Sequence, residues 1–463
     1  MSELLIQASG DEATPIHLLR KPELDEFLAR RRPAVGAQAA AQDFTAAAGQ
    51  VFLAPRQDGR LERVLLGLGD AAEPDPMACR ALAAKLPDGD YRIAGPAGRD
   101  RGLQRAVAWG LGGYGFDRYK PKPHRRRPRL VVGDEAVLAE ARRIVHACAL
   151  ARDMINTPAN DLGPLQVETI AREVAEAYGA RISVTVGDEL ADAGYPAVLA
   201  VGRAAAPYRA PRLIEIGWGE PGRPLIALVG KGVVFDSGGL DIKTAAGMRH
   251  MKKDMGGAAH ALALGRMIMD AGLPVRLVVL LAVVENAISG DAMRPGDIIQ
   301  TRKGLTVEIG NTDAEGRLIL ADALARAAEL EPRLTIDLAT LTGAARVALG
   351  PQLPALFAAE DDLAREVEAA GRAVADPMWR LPLWKPYGEA VDGDVSDLRN
   401  DPDAWSQAGA ITAALFLQRF APVTGWIHFD IFAWNGKSRP GWPVGAEAQT
   451  IRALYAWLKA RFG

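Results

Sequence analysis

Residues Leu225–Val284 read LIALVGKGVVFDSGGLDIKTAAGMRHMKKDMGGAAHALALGRMIMDAGLPVRLVVLLAVV. The stretch opens on the apolar run Leu225–Gly230, passes through an Ala-rich segment at Gly256–Ala271 and closes on a second apolar run, Leu277–Val284. Short continuous apolar runs on either side of a helical segment are the mark of strands covered on both faces, so the stretch reads as strand, helix, strand. The pattern continues outward. ISVTV (Ile182–Val186), LIEIGW (Leu213–Trp218), LTIDLA (Leu334–Ala339) and WIHFDI (Trp426–Ile431) read as further strands, and Arg317–Leu330 as a further helix. The fold class is α/β, with a mostly parallel sheet flanked by helices. In such sheets ligands bind beyond the carboxyl ends of the strands.

Upstream, the apolar run Arg63–Leu68 and the Ala-rich helical stretch Met77–Leu86 indicate a smaller N-terminal α/β domain over residues 1–133, with no cluster of potential ligands. PKPHRRRPR (Pro121–Arg129) is too rich in proline and positive charge to build a core and reads as a solvated linker. A nucleic-acid patch is the competing reading of His124–Arg129. Val137, Ala141, Ile144, Cys148, Ala151 and Ile155 then recur at spacings of three and four, one apolar helix face that stops near Pro158. That connecting helix, over 134–158, joins the first domain to a larger C-terminal domain over 159–463.

Composition narrows the function classes. Among 463 residues, 49% are hydrophobic and 24% charged, the balance of a globular protein rather than a disordered or fibrous one. Lys+Arg 55 against Asp+Glu 57 leaves a net charge of −2, so neither nucleic acid nor an anionic membrane is expected as a partner. Two cysteines, Cys79 and Cys148, provide neither a disulfide framework nor a thiolate zinc cluster. The N-terminus lacks the basic and apolar regions of a signal peptide, and Leu277–Val284 is too short to span a bilayer. A cytoplasmic location is expected. Gly110–Gly115 matches a GxGxxG spacing but no strand precedes it, and Asp236-Ser237-Gly238-Gly239 lacks the all-β setting of a serine protease.

Two segments carry the chemistry: Gly230–Ala259 and GNTDAEGRLILADAL (Gly310–Leu324). Lys231 is expected where a strand ends, and Asp236 across a loop from it. Asp254 sits just before a helix and could cap it. Asp313 and Glu315 point the same way from a loop, with Arg317 at the next helix start. All four carboxylates fall at strand ends or helix starts, where an α/β sheet assembles its site. Carboxylates gathered at one point repel unless cations neutralise them, and a His-poor, Cys-free set of oxygens suits divalent ions, a pair of which activates water for hydrolysis.

NTDAEGRL (Asn311–Leu318), VGKGVVFDSGG (Val229–Gly239) and KKDMGGAA (Lys252–Ala259) resemble the hallmark segments of the leucyl aminopeptidase, or cytosol aminopeptidase, family. INTPANDLGP (Ile155–Pro164) and DLATLTGA (Asp337–Ala344) extend the resemblance over about the last two-thirds of the chain. It implies two divalent metals, manganese or zinc. Asp236 and Glu315 would be shared by both, Asp313 would complete one site, and Lys231 with Asp254 the other. Lys243 and Arg317 would be the catalytic pair, with Arg317 holding a bicarbonate as general base. A hydroxide held between the metals would hydrolyse the first peptide bond of a peptide with a free N-terminus. Met251, Asn311, Thr340, Leu341 and Gly343 would contact substrate, with a preference for leucine-like residues. The resemblance also implies a homohexamer. Thr244 departs from the family, where many relatives have Pro, and so does Gly441–Leu454, in place of a Gly-rich end.

Overall fold

The strand Leu225–Asp236 is the axis of the larger sheet in this computed structural model, which describes residues 4–7, 13–95, 98–121, 127–402 and 407–463. Its apolar residues are buried on both faces, as a central strand requires. It pairs in parallel with Arg276–Asn286 on one side and Leu334–Ala339 on the other. Trp426–Asp430 adds a further parallel neighbour beyond Leu334–Ala339. The eight-stranded sheet is therefore parallel at its centre. Ala355–Ala358 joins it antiparallel at one side, with Trp379–Arg380 beyond it, and Arg212–Trp218 followed by Arg181–Val186 at the other.

Helices Gly256–Asp270 and Gly316–Glu329 pack on this sheet, the first closely. A Cβ on Gly257 would stand 2.0 Å from the Leu338 carbonyl oxygen, so only glycine lets that helix start lie against the sheet. Val229, Leu280, Leu320, Phe416 and Trp426 belong to one buried cluster on this side. A small sheet of Ile298–Gln300, Thr306–Glu308 and Leu398–Arg399 carries the segment that leads to Asp313.

The chain divides into two compact units, residues 1–149 with 436–444, and residues 150–435 with 445–463. The first holds a six-stranded sheet in the order Leu5–Ile6, Arg129–Val131, Asp90–Ile93, Thr14–Arg20, Leu61–Gly69, Val51–Pro55. All its pairs are parallel except the last. The apolar periodicity after residue 134 becomes a single helix, Glu135–Asn156. Of the basic run, residues 122–126 lie outside the described residues, while Arg129 pairs with Asp90 at 2.6 Å. Among the described residues no helix is long and apolar enough to cross a membrane.

Candidate metal centre

Lys231 and Asp236 both lie on the strand Leu225–Asp236, which continues past Gly230 where a loop was expected. The neighbouring strand explains the extension: Val283 stays in register with Gly232 and Val284 with Val233, and a bulge then sets Asn286 opposite Asp236. Asp254 follows the short 3-10 turn Met251–Lys253. It does not cap the helix Gly256–Asp270, which has no side-chain cap. Asp313 lies in the turn before the helix Gly316–Glu329, and Glu315 immediately precedes that helix. Lys243 closes the loop after Asp236, where Gly238 and Gly239 have φ of +89° and +66° and so relieve the backbone of strain.

These side chains meet. Lys231 Nζ stands 2.8 Å from Asp254 Oδ2 and 3.0 Å from Glu315 Oε1, and donates to the Thr340 carbonyl at 3.0 Å. Lys243 Nζ stands 2.8 Å from Asp236 Oδ2 and also pairs with Asp313. Asp236 thus pairs with Lys243, while Lys231 pairs with Asp254 and Glu315. Asp236 Oδ1 accepts hydrogen bonds from Gly238 N and Asn286 Nδ2, each at 2.9 Å.

Four carboxylates against two ammonium groups leave a surplus of two carboxylates among the groups in contact (four minus two), with Lys253 acting on Asp254 and Arg317 on Glu315 from farther off. Asp236, Asp254 and Glu315 are buried and Asp313 is half-buried, so water screens the surplus poorly. The consequences show in the pKa values. Burial, reinforced by Asp236, pushes the Glu315 carboxyl up to about 8 and the Asp313 carboxyl up to about 6. Burial opposes the charge on Lys231, but Asp254, Glu315 and Asp236 override it and hold that amine above its usual range.

Divalent cations fit this arrangement. Glu315 Oε2 is buried without a hydrogen-bond partner, and Asp254 Oδ2, Asp313 Oδ1 and Glu315 Oε1 meet a lysine without hydrogen-bond geometry. Asp236, Asp313 and Glu315 can each offer an oxygen within 4.8 Å of the others. Oxygens so grouped and so poorly satisfied suit divalent cations.

The other expected residues sit at graded distances from this centre. Arg317 is buried at the start of the helix Gly316–Glu329; its Nη1 donates to the Asn400 carbonyl at 2.6 Å and its Nε has no partner. Thr340 joins the cluster directly, its Oγ1 donating to Asp254 Oδ1 at 2.8 Å. Leu341 follows it, half-buried against the main apolar cluster. Asn311 reaches the cluster through the Asp313 backbone: its Oδ1 accepts from Asp313 N at 2.8 Å and fixes the turn. Met251 begins the 3-10 turn, half-buried, and Gly343 begins the helix Gly343–Leu349.

Three residues that sequence reasoning passed over organise the site. Asn286 ties Asp236 to the Thr312 carbonyl. Asn400, fully buried, accepts from Gly310 N and Asn311 N and donates to the Asn311 carbonyl at 2.7 Å, which sets the acidic turn. Asp430 accepts from Leu341 N at 3.0 Å, Thr342 N at 3.1 Å and Thr342 Oγ1 at 2.6 Å, which fixes the loop that carries Thr340. Thr312 adds a latch, donating to the Gly238 carbonyl and accepting from Asp241 N. Asn286 and Asp430 each end a predicted or observed strand at the carboxyl edge, the one signal that could have marked them.

The catalytic-domain profile of the cytosol aminopeptidase family matches residues 149–455, and the M17 aminopeptidase N-terminal domain profile matches residues 14–132. A probable cytosol aminopeptidase of Syntrophotalea carbinolica is 41% identical over 430 residues, 86% of this chain and 85% of the relative. Among solved structures, the cytosol aminopeptidase from Coxiella burnetii is 42% identical with a TM-score of 0.94, covering 99% of this chain and all of the other. The bottromycin maturation enzyme BotP in complex with Mn is 33% identical with a TM-score of 0.87, covering 97% of this chain and all of that one.

Proposed function

The chain belongs to the cytosol aminopeptidase family of metallopeptidases, and on that premise we propose that it removes leucine-like residues from peptides with a free N-terminus. One observation carries the reading: four carboxylates and two lysines meet at the carboxyl end of a parallel sheet, with buried carboxylate oxygens left unsatisfied. Asp236 and Glu315 would be shared by two divalent ions, with Asp313 on one side and Lys231 and Asp254 on the other. When bound, such ions supply Lewis acidity and lower the pKa of water. Manganese is one candidate, in keeping with the manganese complex of BotP; zinc is the other.

The chain's own groups do the rest. Lys231 would ligate only as the neutral amine, so adjacent cations would have to outweigh the carboxylates that hold its proton. Lys243, charged and aimed between Asp236 and Asp313, donates to the carbonyl oxygen of the scissile bond as that oxygen gains charge. Arg317, with Nε free at a helix start, would hold a bicarbonate, which supplies a general base. Met251, Asn311, Thr340, Leu341 and Gly343 would border the substrate. The centre would hold a terminal α-amine, which would restrict cleavage to the first bond because an internal residue offers none.

We also place the protein in the cytoplasm, after the name of its relatives, and as a homohexamer after the family it belongs to. The test is release of leucine from a leucyl anilide by chelator-treated protein, with manganese or zinc then restored, beside the N-acetylated substrate. Turnover that needs the metal and disappears on acetylation supports the reading. Equal cleavage of the acetylated substrate overturns it.

A further inference from the structure

The first unit has a cavity of about 520 Å³ that the peptidase reading does not use. It opens where the carboxyl ends of two neighbouring parallel strands, Thr14–Arg20 and Leu61–Gly69, lie side by side. From Thr14–Arg20 the chain runs to one side, through Val51–Pro55 into Leu61–Gly69. From Leu61–Gly69 it crosses to the other side, into Asp90–Ile93. Connections that diverge in this way leave a crevice between the strand ends, the usual ligand position of an open α/β sheet. The volume falls within the range of small-molecule sites.

The lining is chemically uneven. Leu18, Leu68 and Ala78 provide an apolar surface. Arg20 is neutralised by Glu23, through Nε at 2.9 Å and Nη2 at 2.8 Å. Arg101 and Arg105 differ: neither makes a hydrogen bond or ion pair with any described residue, and Arg105 is half-buried. Both lie on the helix Arg99–Gly112, one turn apart on the same face, where like charges repel. Two adjacent guanidinium groups without an acceptor, one of them partly withdrawn from water, are satisfied together by a single oxyanion with several oxygens. Glu73, an exposed carboxylate in the same lining, makes no hydrogen bond or ion pair with any described residue and is suited to accept from a hydroxyl; Asp75 also lines the cavity, its Oδ1 accepting from Met77 N.

From this combination we propose that the cavity binds a phosphorylated small molecule of nucleotide size. Arg101 and Arg105 would share its phosphate, Glu73 would take a sugar hydroxyl, and the apolar surface would take the ring. This second site is independent of peptide hydrolysis.

The experiment is calorimetric titration of the full chain with ADP, adenosine and inorganic phosphate, on the wild type and the Arg101→Ala/Arg105→Ala double variant. Thermal unfolding of each protein reports its fold. The expected result is ADP binding that weakens with salt and falls at least about tenfold in the double variant, with adenosine and phosphate each bound more weakly than ADP. A Glu73→Gln variant weakens ADP but not phosphate. No ADP binding, or binding that the folded double variant retains, overturns the proposal. Phosphate bound as tightly as ADP also overturns it, since the cavity would then recognise only an anion.

Discussion

Gly316→Ala separates stability from catalysis in this chain. Gly316 is the first residue of the helix Gly316–Glu329, and an added Cβ there would stand 2.5 Å from Lys231 Cε and 2.6 Å from its Nζ. Carbon atoms in contact normally lie about 3.5–4.0 Å apart, so the amine must retreat by about 1 Å. Such a retreat stretches its 2.8 Å and 3.0 Å contacts with Asp254 and Glu315 beyond close ion-pair range. Overpacking costs about 1–3 kcal/mol, while alanine returns up to about 1 kcal/mol of helix propensity. Net destabilisation of about 0–3 kcal/mol and a shift of a few degrees in Tm follow. Catalysis should suffer more, because a ligand displaced by about 1 Å can cost on the order of 10²-fold in rate. The assay is leucyl-anilide turnover at saturating manganese, beside a thermal melt. A variant that melts near the wild-type temperature and turns over at the wild-type rate would refute the placement of Lys231 in the reacting centre.

His260 predicts an acid limb of stability. Its Nε2 accepts from Gln449 N at 3.0 Å, its Nδ1 bonds the Gly256 carbonyl, and burial pushes its pKa down to about 4 from 6.5. The unfolded chain therefore binds the proton more readily, and stability present above pH 6.5 is lost as pH falls toward 4, by about 3 kcal/mol. Denaturant titrations from pH 7 to 4.5 should show a shallower fall in His260→Gln, and parallel curves would count against this assignment. Asp430→Asn should reduce kcat/KM by about tenfold or more with the metal content intact, because the loop bearing Thr340 loses the carboxylate that holds it; unchanged kinetics would remove Asp430 from the support of the site. Asp322→Ala should lower stability by about 3 kcal/mol, since Ala197, Val198 and Arg302 all donate backbone N–H bonds to that buried carboxylate. Chemical denaturation reads this loss, and a variant within 1 kcal/mol of the wild type would contradict it.

The central strands were legible because each is a continuous apolar run, and Leu334–Ala339 is observed over the very residues expected. The strand Leu225–Asp236 was read six residues short. Glycine and lysine at 230–232 look like a loop, yet backbone pairing with Arg276–Asn286 carries the strand through. Ala355–Ala358 and Trp379–Arg380 are too short to show a period, and the antiparallel partners at the sheet edges leave no local signature. Within the site, the acidic residues stood out because their surplus charge needs an explanation. Asn286, Asn400 and Asp430 did not, since a neutral amide or a single carboxylate gains meaning only from what the fold sets beside it. Asp254 looked like a helix cap because position alone suggested it; its oxygens instead face Thr340 and Lys231.

The account rests on Asp236, Asp254, Asp313, Glu315 and Lys231 forming one centre for two cations. Metal content per chain, measured by elemental analysis on wild type, Asp313→Ala and Glu315→Gln after manganese loading and dialysis, tests this most directly. Two ions in the wild type, one fewer in Asp313→Ala, and a loss at both positions in Glu315→Gln, each matched by lost leucine release, are predicted. Wild-type metal content and turnover in both variants would contradict the account.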